Sequence, residues 1–118
     1  MVDVHTVQAL VSSCEAKEKR LYSDSGNPYE SIEITAKVSD GMLTVTDSEC
    51  EHGPDGGWSC RTLTFDRVNT QRLFLLLAGV HPDPFRALSS MIDCAERTDR
   101  LLRLCRSSDI QYRDDLSI

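Results

Sequence analysis

Cys50, His52 and Cys60 put two thiols and an imidazole close together in the chain, with Glu49, Glu51 and Asp55 interleaved. These are ligand types for zinc, and a thiol beside an imidazole is also a nucleophile beside its base. The spacing serves neither chemistry well. A structural zinc site shows two short Cys or His pairs, and surrounding carboxylates hold a thiol protonated and blunt it as a nucleophile. The expectation is no metal, no cofactor and no catalytic residue. A thiol- or zinc-dependent enzyme built on Cys50, His52 and Cys60 stands as the competing reading.

The same segment says more through its charge. From Asp47 to Gly57 the chain carries four acids and no base. It separates two strand-like runs and reads as an eleven-residue connection, where hairpins usually need two to five. A loop this long and this acidic is expected to be a contact surface for a basic partner. Asp47, Glu49, Glu51 and Asp55 are its carboxylates, and Trp58 beside them is either an interface anchor or a core residue. Gly53, Gly56 and Gly57 follow no strand-to-helix signal, so they read as loop flexibility and not as a phosphate cradle.

Elsewhere the charged residues have plainer readings. Asp93, Glu96 and Asp99 each precede an arginine by four positions (Arg97, Arg100, Arg103), which suits a solvated helix face. His5 and His81 sit near element boundaries, away from any triad or dyad.

Periodicity supplies the elements that must hold these residues. Val4, Val7, Leu10, Val11 and Cys14 form one apolar stripe, predicting an N-terminal helix that runs to a charged turn near Arg20. Asp24 to Pro28 is turn chemistry. Ile32, Ile34, Ala36 and Val38 alternate with polar neighbours as a half-buried strand does. Asp40-Gly41 predicts a tight hairpin, and Leu43 and Val45 begin the return strand, which is expected to end at Thr46. Trp58 to Phe65 is a third strand.

Beyond it, Asp66 caps a helix carrying Leu73, Phe74, Leu76 and Leu77 that stops at Gly79. Asp83-Pro84 starts another, with Phe85, Leu88, Met91, Ile92 and Ala95 inward. Thr98 restarts or continues it toward Leu101, Leu102, Leu104 and Cys105. Ile110 and Tyr112 alternate as a short strand at the sheet edge. The expected fold is α+β: an N-terminal helix, a three-stranded antiparallel meander, two to three C-terminal helices on one sheet face and the final edge strand.

Composition bounds the rest. The 118 residues, 40% hydrophobic and 27% charged, make a single domain spanning 1–118. Five scattered cysteines fit no disulfide framework, and neither a signal peptide nor a membrane span is visible, so a cytoplasmic protein is expected. Net charge is -6, with eleven acids against four bases up to Gly57. That balance disfavours nucleic-acid binding, which needs a basic surface, and favours a cationic protein partner.

The order Thr64-Phe65-Asp66, Asn69-Thr70-Gln71-Arg72-Leu73, Leu101 to Leu104, and Cys105 through Ile110 to Tyr112 resembles small cytosolic immunity proteins of bacterial contact-dependent and other polymorphic toxin systems. The resemblance covers about residues 31 to 113; the charged N-terminal helix and the cysteine-flanked loop lie outside the pattern. It implies a protein that makes and breaks no bond itself, but binds the C-terminal domain of a cognate toxin, often a basic nuclease, and covers its active site. The acids would then take the place of substrate phosphates. A phage-encoded acidic inhibitor that mimics nucleic acid would use the same charge against another target.

Overall fold

The first helix does not run to Arg20. In a computed structural model, which describes residues 4–24, 30–51, 56–93 and 95–117, α1 covers Val4–Ser13 and buries Val7, Val11 and Cys14. Ala16 then takes a left-handed conformation (φ 59°), and its N–H donates to the Val38 carbonyl at 2.7 Å. The chain thereby leaves the helix axis and enters β1 (Glu18–Asp24), a strand the charged sequence hid.

β2 (Glu30–Ser39), β3 (Met42–Glu51) and β4 (Trp58–Phe65) follow; α2 (Arg67–Leu77), α3 (Pro84–Ser90) and α4 (Asp99–Ser107) come next, and β5 (Arg113–Ser117) ends the described chain. The sheet order is β1-β2-β3-β4-β5, with every neighbouring pair antiparallel. Five strands therefore replace the expected three-stranded meander. β1 is an edge strand with mostly solvated side chains, so its sequence lacks the clean alternation of a half-buried strand. The C-terminal strand also lies later than expected. Ile110 is buried and its N–H closes α4 on the Cys105 carbonyl at 2.9 Å, leaving Arg113 to begin pairing.

Strand alternation builds one core. Leu21, Ile32, Ile34, Ala36, Val38, Leu43, Val45, Leu63 and Phe65 join Leu73, Phe74 and Leu77 of α2, Phe85 and Leu88 of α3, and Leu101, Leu102 and Cys105 of α4 in a single buried cluster. Met42, Leu76 and Val80 stay exposed. Asp66 and Asp83 cap α2 and α3 by accepting the N–H groups of Asn69 and Phe85. The helix from Pro84 ends at Ser90, so Ala95 lies exposed outside it, and α4 is a separate helix.

The β2–β3 turn holds Asp40 at φ 54° and Gly41 at φ 73°, the pair of positive angles a two-residue hairpin needs. The Glu15 carboxylate accepts both of that turn's N–H groups, from Asp40 at 2.5 Å and Gly41 at 3.1 Å. Thr70 locks α2 to the sheet. Its buried hydroxyl accepts the Leu43 N–H at 2.9 Å and donates to the Phe65 carbonyl at 3.2 Å. No helix among the described residues is long and apolar enough to cross a membrane.

Candidate functional site

Side chains on the helix-covered face follow the strand register row by row. Val38, Leu43 and Phe65 form one row, and Ala36, Val45 and Leu63 the next; both are fully apolar. One row further the neighbours are Ile34, Asp47 and Arg61, then Ile32, Glu49 and Ser59, and finally Glu30 beside Glu51. The sheet thus changes from a core wall to an acidic end within the same strands.

That register corrects the reading of Asp47 to Gly57 as a single loop. Asp47 to Glu51 complete β3, and the connection shrinks to the six residues between Glu51 and Trp58, closed by the Glu51 N–H on the Gly57 carbonyl at 2.8 Å. His52 and Asp55 lie outside the described residues. Asp47 is withdrawn from any partner: it is only 6% exposed, and the Arg97 guanidinium grips both its oxygens, with Nε to Oδ2 at 3.0 Å. The third nitrogen of the guanidinium, Nη1, reaches Glu49 at 3.2 Å.

Arg97 was assigned from its spacing to a helical pair with Asp93. It sits instead in the turn before α4, with φ 53°, and aims across the sheet. Its hydrogen bonds, chiefly to Asp47, hold the guanidinium firmly charged and raise its pKa. Nothing in the local sequence pointed to a partner fifty residues away. Of the three four-residue spacings, only Glu96 and Arg100 close as an ion pair, at 3.0 Å, from the turn onto α4; Arg103 turns to Glu96 at 2.7 Å.

Beyond Arg97 the acids outnumber their counter-ions. Glu30 hydrogen-bonds to Glu49, and this shared bond, with burial and the charges of Glu49 and Glu51, raises the Glu30 carboxyl above its usual pKa. Sequence reading left Glu30 out because it adjoins a turn and pairs only across the sheet. Trp58 stands at the same end, 53% exposed. With Glu49, Glu51, Gly57 and Ser59 it lines a cleft of about 150 Å³, and its other side borders a groove with Ser31, Glu33 and Cys50. Trp58 is therefore no core residue.

Parity also separates Glu49 and Glu51, proposed as further zinc ligands, from the two thiols. Cys50 opposes Trp58 and Cys60 opposes Ser48, on the face away from Glu49 and Glu51. Those two carboxylates cannot converge with the two thiols. Among the described residues no three His, Cys, Asp or Glu side chains form a metal-binding group, and the four described cysteines are free thiols.

A larger cavity among the described residues, about 690 Å³, lies elsewhere, between α1, the start of β1 and the loop before α3. It includes Cys14, Lys17, Lys19, His81 and Phe85. Burial pushes the Cys14 thiol up, and His81 Nδ1 accepts the Asp83 N–H at 2.9 Å, so no activated nucleophile is assembled there.

Comparison of the chain with protein-family models, with curated proteins and with solved structures finds no match.

Proposed function

We propose that this chain is a non-catalytic binding protein whose acidic sheet end receives a cationic surface of a protein partner. The observation that carries the reading is the cleft at the strand end, where Trp58, exposed and rooted on the opposite face of the sheet, shares a lining with Glu49 and Glu51. An amphipathic ring next to unspent negative charge suits an arginine or lysine: the cation stacks on the indole and reaches Glu49 or Glu51. An incoming cation would also offset the charges that Glu49 and Glu51 place on Glu30.

The resemblance to immunity proteins gives the partner its class: a toxin domain with a basic active site, covered sterically and electrostatically in the cytoplasm. In that role Glu49 and Glu51 would take the place of substrate phosphates, while Asp47 serves the fold by holding Arg97. The test is association kinetics against the protein encoded by the adjacent gene, over a series of salt concentrations. Glu49→Gln with Glu51→Gln should slow association about tenfold and flatten its salt dependence, because long-range attraction governs encounter. Trp58→Ala should speed dissociation, at a cost of about 2 kcal/mol. Unchanged rates in both variants would remove the sheet end from recognition.

A further inference from the structure

The two edges of the sheet are finished differently. β1, at one edge, is interrupted by a register shift between Arg20 and Tyr22, and the carbonyl of Leu21 is capped by the Ser89 hydroxyl of α3 at 2.8 Å. Such a bulge and cap discourage another strand from joining. β5, at the other edge, has neither: all five of its residues are exposed, and Leu116 is 67% exposed.

The residues along that edge are self-complementary. Tyr112 stands opposite Phe65 in the continued register, and the two rings pack at 5.9 Å, so the extended line of β5 begins one residue before its first paired position. Along Tyr112, Arg113, Asp114, Asp115 and Leu116, a two-fold axis through Asp114 would set a second antiparallel copy with Arg113 opposite Asp115, and Tyr112 opposite Leu116, each pair occurring twice. Parity then keeps both ion pairs on the open face and both apolar pairs on the helix-covered face.

The like charge at the axis is already compensated. Asp114 is held by Arg61 of its own chain through two bonds of 2.9 and 2.6 Å, and this pairing lowers the Asp114 pKa. Arg113 meets Asp115 within the strand at 2.9 Å, a contact that would be exchanged for the equivalent one across the axis. Moving the axis by one residue, to Arg113 or to Asp115, would set that residue opposite its own copy and separate Arg113 from Asp115 across the axis, which like-charge repulsion disfavours.

We propose that β5 is a homodimer edge: two copies of this chain join through antiparallel β5 strands, with the axis at Asp114, into one continuous ten-stranded sheet. The contact is isologous and closes after two copies. A five-residue strand pair buries less than a standard interface, so the dimer is weak and concentration-dependent. The inference does not depend on the proposed function, since it rests on β5 as the edge strand beside β4, although Leu116 lines one pocket with Asp47, Glu49 and Arg97.

The experiment is sedimentation of the full chain at rising concentration, with circular dichroism confirming that each variant is folded. Wild type should pass from monomer to dimer. Leu116→Lys and Arg113→Asp should each weaken the dimer at least tenfold, and Arg113→Asp combined with Asp115→Arg should restore it. A chain that stays monomeric at every concentration would overturn the proposal. So would a dimer indifferent to Leu116→Lys, a double variant no stronger than Arg113→Asp, or assembly beyond two copies.

Discussion

Arg97 and Asp47 show how a residue read as a contact can be a structural necessity. Asp47 lies one row past the apolar core, where an unpaired carboxylate would have lost most of its water. The forked guanidinium of Arg97 replaces that water with two directed bonds. Arg97→Ala should therefore destabilise the fold by about 2 kcal/mol in urea denaturation; the usual cost of orphaning a buried charge is discounted here because Arg97 is partly solvated. Arg97→Lys should recover only part of that loss, since an ammonium cannot grip both oxygens. Asp47 was visible in the sequence as an acid, but its burial was not, because the compensating arginine comes from another layer of the molecule.

Glu30 gives the pH dependence of the same end. Its folded pKa is raised, so protonation favours the folded tip, and this contribution grows as pH falls from neutral through the Glu30 pKa. Asp66 and Asp114 act oppositely. Hydrogen bonds from Asn69 and Arg61 depress their pKa values, so the stability they contribute is present above the ordinary aspartate range and is lost as pH falls through the depressed values. A cationic partner should lower the Glu30 pKa and expel a proton on binding at mildly acid pH. Calorimetry in buffers of different ionisation enthalpy would register that proton, and a buffer-independent heat would contradict it.

Among the elements, those with strong local signals appeared where periodicity and capping placed them. Asp66 and Asp83 cap as their types require, and the alternation of Ile32 to Val38 gives the buried face of β2. β1 did not, because an edge strand with one face in water needs only Leu21 inside, and its lysines and arginine look like a helix terminus. β3 was cut short at Thr46 for a similar reason: charge on Asp47 and Glu49 reads as loop unless Arg97 is known to face it.

Asn69 and Thr70 entered the sequence reading only through a family likeness, yet both are buried hinges between layers. The Asn69 side chain bonds Asp66 and accepts the Gln111 N–H at 2.9 Å, while Thr70 joins α2 to β3 and β4. Thr70→Val keeps the shape but leaves the Leu43 N–H without its acceptor. It should cost about 2 kcal/mol, measured as a lower urea midpoint with an unchanged slope.

For the whole molecule, the decisive property is that β2 and β3 are longer than the apolar wall they build. Ten residues each give strands of about 33 Å. The helices bury the end near the β2–β3 turn, and the other end carries Glu30, Glu49, Glu51 and Trp58 beyond the core. Acid excess in the first half of the chain thereby becomes a surface with a location. Composition announced the excess; only strand register says which carboxylates are spent inside and which stay toward solvent.

Trp58 is the single tryptophan of the chain, so it reports on that surface alone. The most direct measurement is fluorine NMR of the protein labelled with 5-fluorotryptophan, titrated with the product of the adjacent gene. The lone resonance should move to a new position at one equivalent of partner, and Glu49→Gln with Glu51→Gln should require far more partner to produce the same movement. Stoichiometric binding that leaves the resonance where it began would show that the partner docks elsewhere and that the acidic sheet end is not the recognition site.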